Sequence, residues 1–441
     1  HPVAIRPNTG YRLTGRLGSD KATTVQIQFG RENKTVALDS ATGWVSFDHR
    51  FTTQDNEQSL GSITLMIRDA APVWLDGLSL TEAAGGPELL WEADVNRPAR
   101  GAYNQIDCFM LDEVVRSAER HGIYLMLCLI TRDLYMGDLK TVDSDAYRTA
   151  VRDAQNLLRY AVARWGYSTH VAAWEYFNEI DPGLPTVPFY ADMAGYLDEL
   201  DPYRHLRTTS TWNPCSRDCQ LPALDIAQIH HYMRPTDKDK FLDQFAVLIE
   251  KSDWLRRYAP AKPALIGEFG LADDKWGLSP YLNQDPDCIH FETSLWAAAF
   301  AGGSGTTLFW WWDQLDRQKV YPHYRPLADY LRGVSFAGMK ATAATSCNPF
   351  LGVLGYQSDS AAYLWIYDRS ATWSSRIIEK KTPATITDAH LSILDLSAGN
   401  YSVEWWDTRS GRILQQTEVN NPREIPIPPF SSDIACKFRM K

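Results

Sequence analysis

The sequence predicts an α/β protein: a (β/α)8 TIM barrel over residues 85–344, with its first strands not evident, flanked by β-sandwich domains at 1–84 and 345–441. Two rhythms predict this. Through the middle of the chain, short apolar runs alternate with amphipathic helix patterns. That is the pattern of parallel strands covered on both faces, and its repetition argues a closed barrel. At both ends the runs instead alternate apolar and polar residues with turn signals between them, as half-buried antiparallel strands do.

Taken in order, "TTVQIQFG", "KTVALDS", "WVSFDHRF", "SITLMIR" and "PVWLDGLSL" are the expected strands of the first domain. Gly85-Gly86-Pro87 then breaks the alternation and reads as a linker. The barrel strands are placed at Tyr124–Ile130, Val171–Phe177, Leu206–Trp212, Ile226–Tyr232, Ala264–Phe269 and Thr306–Trp312. Helices are expected in "AYRTAVRDAQNLLRYAVARWG" and "KFLDQFAVLIEKSDWLRRYA" between them. This makes six βα units where a barrel needs eight. Glu88–Glu92 offers one further strand. The remainder is expected from a preceding segment, a second chain or part of the first domain. Beyond residue 345, "AAYLWIYD", "NYSVEWWD" and "GRILQQTEV" return to the short-strand pattern.

Composition narrows the partners. A hydrophobic fraction of 44% and a charged fraction of 22% are those of a globular chain. No apolar run is long enough to span a bilayer. The net charge is −10 and no basic stripe is present, which argues against nucleic acid. Sixteen Trp and twenty-one Tyr are many. Most will be core, but flat rings also stack on the apolar faces of sugars, as they do on bases.

Seven cysteines leave at least one unpaired. Cys108 and Cys128 fall in apolar patterns and read as buried thiols. Cys215 and Cys219 lie in the turn-rich "NPCSRDCQLP" and are expected to be bonded if the protein is extracellular. No second ligand pair stands nearby to make a zinc site. The chain opens on His1 without a secretory leader, so a processed or longer protein is expected.

Chemistry gathers at the C-terminal ends of the barrel strands, where barrels place their functional groups. "AAWEYFNEI" ends on Asn178-Glu179, and "PALIGEFG" carries Glu268. The separation, 268 − 179 = 89 residues, is too long for local pairing, so only barrel closure brings the two carboxylates together. Two carboxylates across a pocket are what cleavage of a glycosidic bond requires. "IHHYM" ends a third strand and "FWWWD" a fourth. Glu175 shares Glu179's parity but lies roughly 13 Å deeper along the strand, where a buried arginine is its expected partner. His231 reads as a packed core histidine, with no metal-ligand spacing around it.

With these residues the sequence resembles the clan A glycoside hydrolases, most nearly the family 5, cellulase-like type, across residues 88–335. The matching motifs are Trp174-Glu175-Tyr176-Phe177-Asn178-Glu179, His230-His231-Tyr232, Gly267-Glu268-Phe269-Gly270 and a late tryptophan within Trp310–Trp312. "GAYNQIDCFMLDEVVRSAERHGIYLML" is similar to the family's approach to its third strand. The resemblance implies a retaining hydrolase of β-linked glycosides or polysaccharides that needs no cofactor. Glu179 would be the acid/base and Glu268 the nucleophile, with a raised pKa on Glu179. Asn178 would bind the sugar 2-hydroxyl, Tyr232 would hold Glu268, and His230 would line the cleft. Trp311, in preference to Trp310, would floor the cleavage subsite, and Trp212 would contact substrate. Where the family has a histidine after its third strand, this chain has Arg132-Asp133.

"VWLDGLSL" gives the first domain a resemblance to carbohydrate-binding modules. A polymeric substrate implies a secreted or extracellular protein. Two other readings stand beside this one: a non-catalytic carbohydrate-binding protein on a degenerate barrel, and a hydrolase of another clan A family.

Overall fold

The computed structural model describes residues 3–41, 43–90 and 100–441, and the chain divides into two compact units, 1–122 and 123–441. The first unit contains β1 (Val3–Ala4), β2 (Gly10–Gly18), β3 (Thr23–Phe29), β4 (Glu32–Leu38), β5 (Val45–Thr52), β6 (Ser59–Leu60), β7 (Ile63–Ile67), β8 (Trp74–Glu82) and α1 (Gln105–His121). Two three-stranded antiparallel sheets, β5–β2–β8 and β4–β3–β7, contribute Leu13, Leu17, Val25, Ile27 and Leu80 to one core. Burial alternates along β2 and β3, as a period of two demands. The stretch after Gly86 folds back on β8: Glu88 accepts hydrogen bonds from the Leu80 and Leu90 amides, and Leu89 N donates to Leu80 O. Residues 88–90 are therefore a turn and not a barrel strand. Trp91 and Glu92 lie outside the described residues.

The second unit opens with β9 (Leu125–Ile130), α2 (Asp145–Trp165), β10 (Val171–Phe177), α3 (Val187–Leu200) and β11 (Leu206–Thr208). It continues with α4 (Ser216–Gln220), β12 (Ala227–Met233), α5 (Asp239–Leu242), α6 (Gln244–Tyr258) and β13 (Ala264–Leu271). Then follow α7 (Ile289–Phe300), α8 (Trp312–Gln318) and α9 (Tyr324–Leu331). The strands pair in parallel as β11–β10–β9 and β12–β13. Arg207 O accepts from the amides of Asp225 and Ile226, which continues the row from β11 to β12. A parallel bridge from Phe269 to Phe309 extends it beyond β13. Among the described residues no further strand joins this row.

Two expected strands are less regular than their apolar pattern. Leu206–Trp212 forms a regular ladder only to Thr208; beyond it Ser210 N still donates to Phe177 O, a parallel bridge joins Ile180 to Thr211, and the buried Thr209 and Ser210 hydroxyls add bonds to Phe177 O. Thr306–Trp312 shrinks to the single bridge at Phe309. Trp312 N turns back to Trp310 O, and α8 starts there. The expected helix over residues 240–259 is split at Asp243, whose carboxylate caps α6 by accepting from the Phe245 and Ala246 amides.

The rest of this unit is β14 (Lys340–Ala341), β15 (Thr345–Ser346), β16 (Leu351–Gln357), β17 (Ala361–Asp368), α10 (Trp373–Ile377), β18 (His390–Ser392), β19 (Asn400–Trp406), β20 (Ile413–Asn420), β21 (Glu424–Pro426) and β22 (Asp433–Met440). Its sheets run β14–β16–β17–β22–β19–β20 and β15–β18–β21. Tyr363, Trp365 and Tyr367 of β17 enter the same core as Phe245 of α6 and Trp296 of α7. Trp373 N donates to Gln244 Oε1 at 3.0 Å, and its indole N–H to Phe241 O at 2.7 Å. The C-terminal sheets thus brace the helices behind β12 and β13.

All seven cysteines are free thiols, which corrects the expected Cys215–Cys219 bond. Cys219 belongs to the short helix α4 and turns into the hydrophobic core, while Cys215 caps that helix from outside.

Candidate active site

β10 carries two glutamates into different surroundings. Glu175 is buried within the sheet, and its Oε1 accepts from Ser210 Oγ and Gln228 Nε2, each at 2.8 Å. Among the described residues no arginine pairs with it; a hydroxyl and an amide do that work. Burial outweighs these bonds and the charge of His230, and lifts the Glu175 carboxyl to about 7.

Glu179 lies beyond the end of β10 and takes a left-handed backbone, φ 51°. Strand alternation does not reach it, so shared parity with Glu175 is lost. The turn is held from two sides. Ser210 Oγ accepts from Glu179 N at 2.9 Å, and Arg132 donates to the carbonyls of Asn178 and Glu179 at 3.4 and 2.5 Å. Arg132 stands where the resembled family has histidine, and here it positions the Glu179 turn while lying 3.5 Å from Glu179 Oε2.

β12 and β13 supply the opposite wall. An irregularity between Ile229 and His230 sets His230 against Glu268 in the register. His230 Nδ1 is 3.0 Å from Glu179 Oε1 and 3.2 Å from Glu268 Oε2. Tyr232 OH donates to Glu268 Oε2. The glycines around Glu268 are required by space: a Cβ at Gly267 would collide with Gln228 Oε1, and one at Gly270 would lie 2.5 Å from the Trp311 ring.

One proton therefore serves two carboxylates. Burial opposes an imidazolium, but the hydrogen bonds to Glu179 and Glu268 and the charges of Glu268 and Glu175 outweigh it and raise His230 to about 9. The hydrogen bond from His230, followed by the charges of His230 and Arg132, holds Glu179 below the usual carboxylate range against its burial. This corrects the expectation of a raised Glu179: the site's extra proton rests on His230. His231 behaves differently, since burial and the nearby Lys251 lower it to about 4. Glu179, His230 and Glu268 have ligand atoms within 4.8 Å of one another and could surround a metal ion. An imidazolium is not a ligand, so a cation would first have to displace the His230 proton.

The carboxylates open into a cleft of about 580 Å³, lined among others by Asn178, Trp212, His230, Tyr232 and Trp310. Trp212 and Trp310 are 43% and 45% exposed in the cleft, with the Arg132 guanidinium 6.0 Å from the Trp212 ring centroid. Trp311 is placed differently: it packs against Gly270 and edge-on to Tyr232, at 5.5 Å between centroids. Sequence reasoning missed Arg234, Asp237, Lys251 and Trp276, which also line the cleft. Of these, Trp276 had a signal: a lone tryptophan in the turn-forming "DDKWG" just past a barrel strand.

No protein-family model matches the chain, and no curated protein matches it. Among solved structures, the chain is similar to a glycoside hydrolase of family 5 from Bacteroides vulgatus ATCC 8482. The TM-score is 0.52 at 12% identity, over 79% of this chain and 77% of that one. A GH30 endoxylanase from Clostridium papyrosolvens C71 aligns with a TM-score of 0.42 and 13% identity, over 67% of this chain and 72% of that one. The family 5 likeness shows a common fold, the barrel of glycoside hydrolases. Among the described residues no helix is long and apolar enough to cross a membrane.

Proposed function

We propose that the protein is a retaining glycoside hydrolase acting on β-linked glycosides or polysaccharides. The observation that carries this reading is the shared His230 proton, with Glu179 and Glu268 3.0 and 3.2 Å from Nδ1 on opposite walls of an open cleft. Their facing oxygens lie within 4.8 Å. That supports the carboxyl separation of about 5–5.5 Å used by retaining enzymes, against about 6.5–9.5 Å for inverting ones.

In this reading Glu268 attacks the anomeric carbon while Tyr232 steadies Oε2 of its carboxylate. Glu179 protonates the departing oxygen, drawing its proton from His230 across their 3.0 Å hydrogen bond. Glu179 then takes a proton from the water that releases the glycosyl group. Asn178 holds the sugar 2-hydroxyl, and the exposed rings of Trp212 and Trp310 carry pyranose faces. A polymer of this kind is met outside the cell, in line with the secreted assignment.

The first unit is assigned to carbohydrate binding. Its support is Trp44 and Trp74, each half exposed, beside a cavity also lined by Gly18, Ser19 and Gly43.

The test is the anomer first formed during hydrolysis, followed by proton NMR. A β-product from a β-glycoside is expected. An α-product would overturn the retaining roles.

A further inference from the structure

Away from the paired carboxylates, the cleft lining among the described residues is cationic: Arg132, Arg234 and Lys251 stand against Asp237. This is unlike the whole chain, whose net charge is −10. Two of the cations already have partners, Arg132 on the Glu179 turn and Lys251 with Glu250 at 3.3 Å. Asp237 is engaged as well, accepting from the backbone amide of Arg234 at 2.8 Å.

The Arg234 guanidinium is different. Among the described residues its Nε is buried without a hydrogen-bond partner, and it lies on the Trp276 indole, with Cζ 3.9 Å from the ring centroid. A guanidinium held by its face on an indole keeps its N–H edge for a planar anion, which it grips through two parallel bonds.

The indole is held at a conformational cost. Trp276 has φ 67°, a left-handed backbone region that a bulky side chain enters only against strain. The surrounding loop enforces it. Asp273 N donates to Gly277 O, and Asp273 Oδ1 accepts from the amides of Lys275 and Gly277, each at 2.8 Å. Trp276 in turn stands edge-on to Tyr232 at 6.3 Å, and Tyr232 donates to Glu268. Arg234 is thereby stationed two aromatic rings, Trp276 and Tyr232, from the proposed nucleophile, in the open cleft.

We infer that the cleft takes an acidic glycan, with a uronate carboxylate of the substrate seated on the Arg234 guanidinium and Trp276 as its platform. The inference rests on the hydrolase reading and deepens it. Neutral glucans leave this cation without a counter-charge, whereas a uronate supplies one in the matching planar geometry.

The experiment compares initial rates on polysaccharides bearing uronic acids (glucuronoxylan, polygalacturonate and alginate) with their carboxyl-reduced derivatives, which keep the linkage and lose the charge. A sulfated neutral glucan is the third arm. The wild type is expected to favour a carboxylated form by about 10- to 100-fold, the range of a charge-assisted hydrogen bond. In Arg234→Gln that ratio should fall toward one, and in Arg234→Lys it should lie between. Should Arg234→Gln misfold, Trp276→Ala, which releases the guanidinium, is expected to lower the same ratio. Equal rates on carboxylated and reduced forms overturn the acidic-glycan inference and leave the hydrolase standing. So does a preference unchanged in Arg234→Gln, or one shown only for the sulfated glucan. Hydrolysis of no member in any arm overturns the hydrolase reading along with it.

Discussion

Among the buried charges of the second unit, one cluster lies at the mouth of the barrel and another where α7 meets the C-terminal sheets. At the junction, Glu292 of α7 receives Arg409 at 3.1 Å, and Asp433 of β22 accepts from the Trp365 indole at 2.8 Å. Burial raises both acids, Asp433 to about 7. In the cleft, two acids share one imidazolium and face open space. The difference teaches how a buried charge declares its role. Glu292 has its own arginine, which suits a structural contact. Like charges kept together around one mobile proton, beside a cavity, suit proton transfer.

If the comparison holds, substitutions in the two clusters move different observables. Glu268→Gln carries the largest expected effect. Turnover should fall by at least about 10³-fold, because the nucleophile is gone, while circular dichroism stays that of the wild type. Wild-type activity in this variant on the best substrate would break the assignment. Glu179→Gln comes next. It should lower kcat about 10²- to 10⁴-fold on substrates with poor leaving groups and far less on activated aryl glycosides, which need little protonation. Equal losses on both would remove Glu179 from the acid role.

The junction should respond the other way. Arg409→Ala leaves Glu292 buried without its partner. With Arg409 itself half exposed, a loss of about 1–3 kcal/mol in urea unfolding is expected, at unchanged kcat/KM. A large loss of activity with no loss of stability would erase the distinction between the clusters.

The smallest effect is expected at Glu175, which shares β10 with the approach to Glu179 but is buried within the sheet. Its folded pKa is raised to about 7 by burial. The stability tied to its neutral form is present below its unfolded value and is lost as pH rises through about 7. Glu175→Gln keeps a neutral group of the same shape. Urea midpoints measured from pH 4 to 8 should decline less steeply in this variant than in the wild type. Identical slopes would place the proton elsewhere.

The paired glutamates, Asn178, His230 and Tyr232 were legible because each ends an apolar strand, and such ends converge in a barrel. What escaped has physical reasons. The left-handed turn at Glu179 is imposed by Arg132 and Ser210 from the segments that follow β9 and β11, and alternation cannot report it. Thr306–Trp312 is apolar enough for a strand, yet the chain turns at Trp310 and splits three adjacent rings among the cleft, the core and solvent. Arg234 and Lys251 look like ordinary surface cations in sequence. Only their convergence on one cleft sets them apart. The proton's residence on His230 depends on two distances, neither of which a motif encodes.

The central claim is that Glu268 forms a bond to the sugar. Its most direct test is to quench the protein with an activated 2-deoxy-2-fluoro glycoside of its best substrate and map the adduct by peptide mass spectrometry. A single glycosyl adduct is predicted on Glu268, within the peptide containing Gly267-Glu268-Phe269-Gly270, and none should form in Glu268→Gln. An adduct on Glu179 or elsewhere, or slow turnover of the fluoro glycoside with no adduct on any residue, would contradict it.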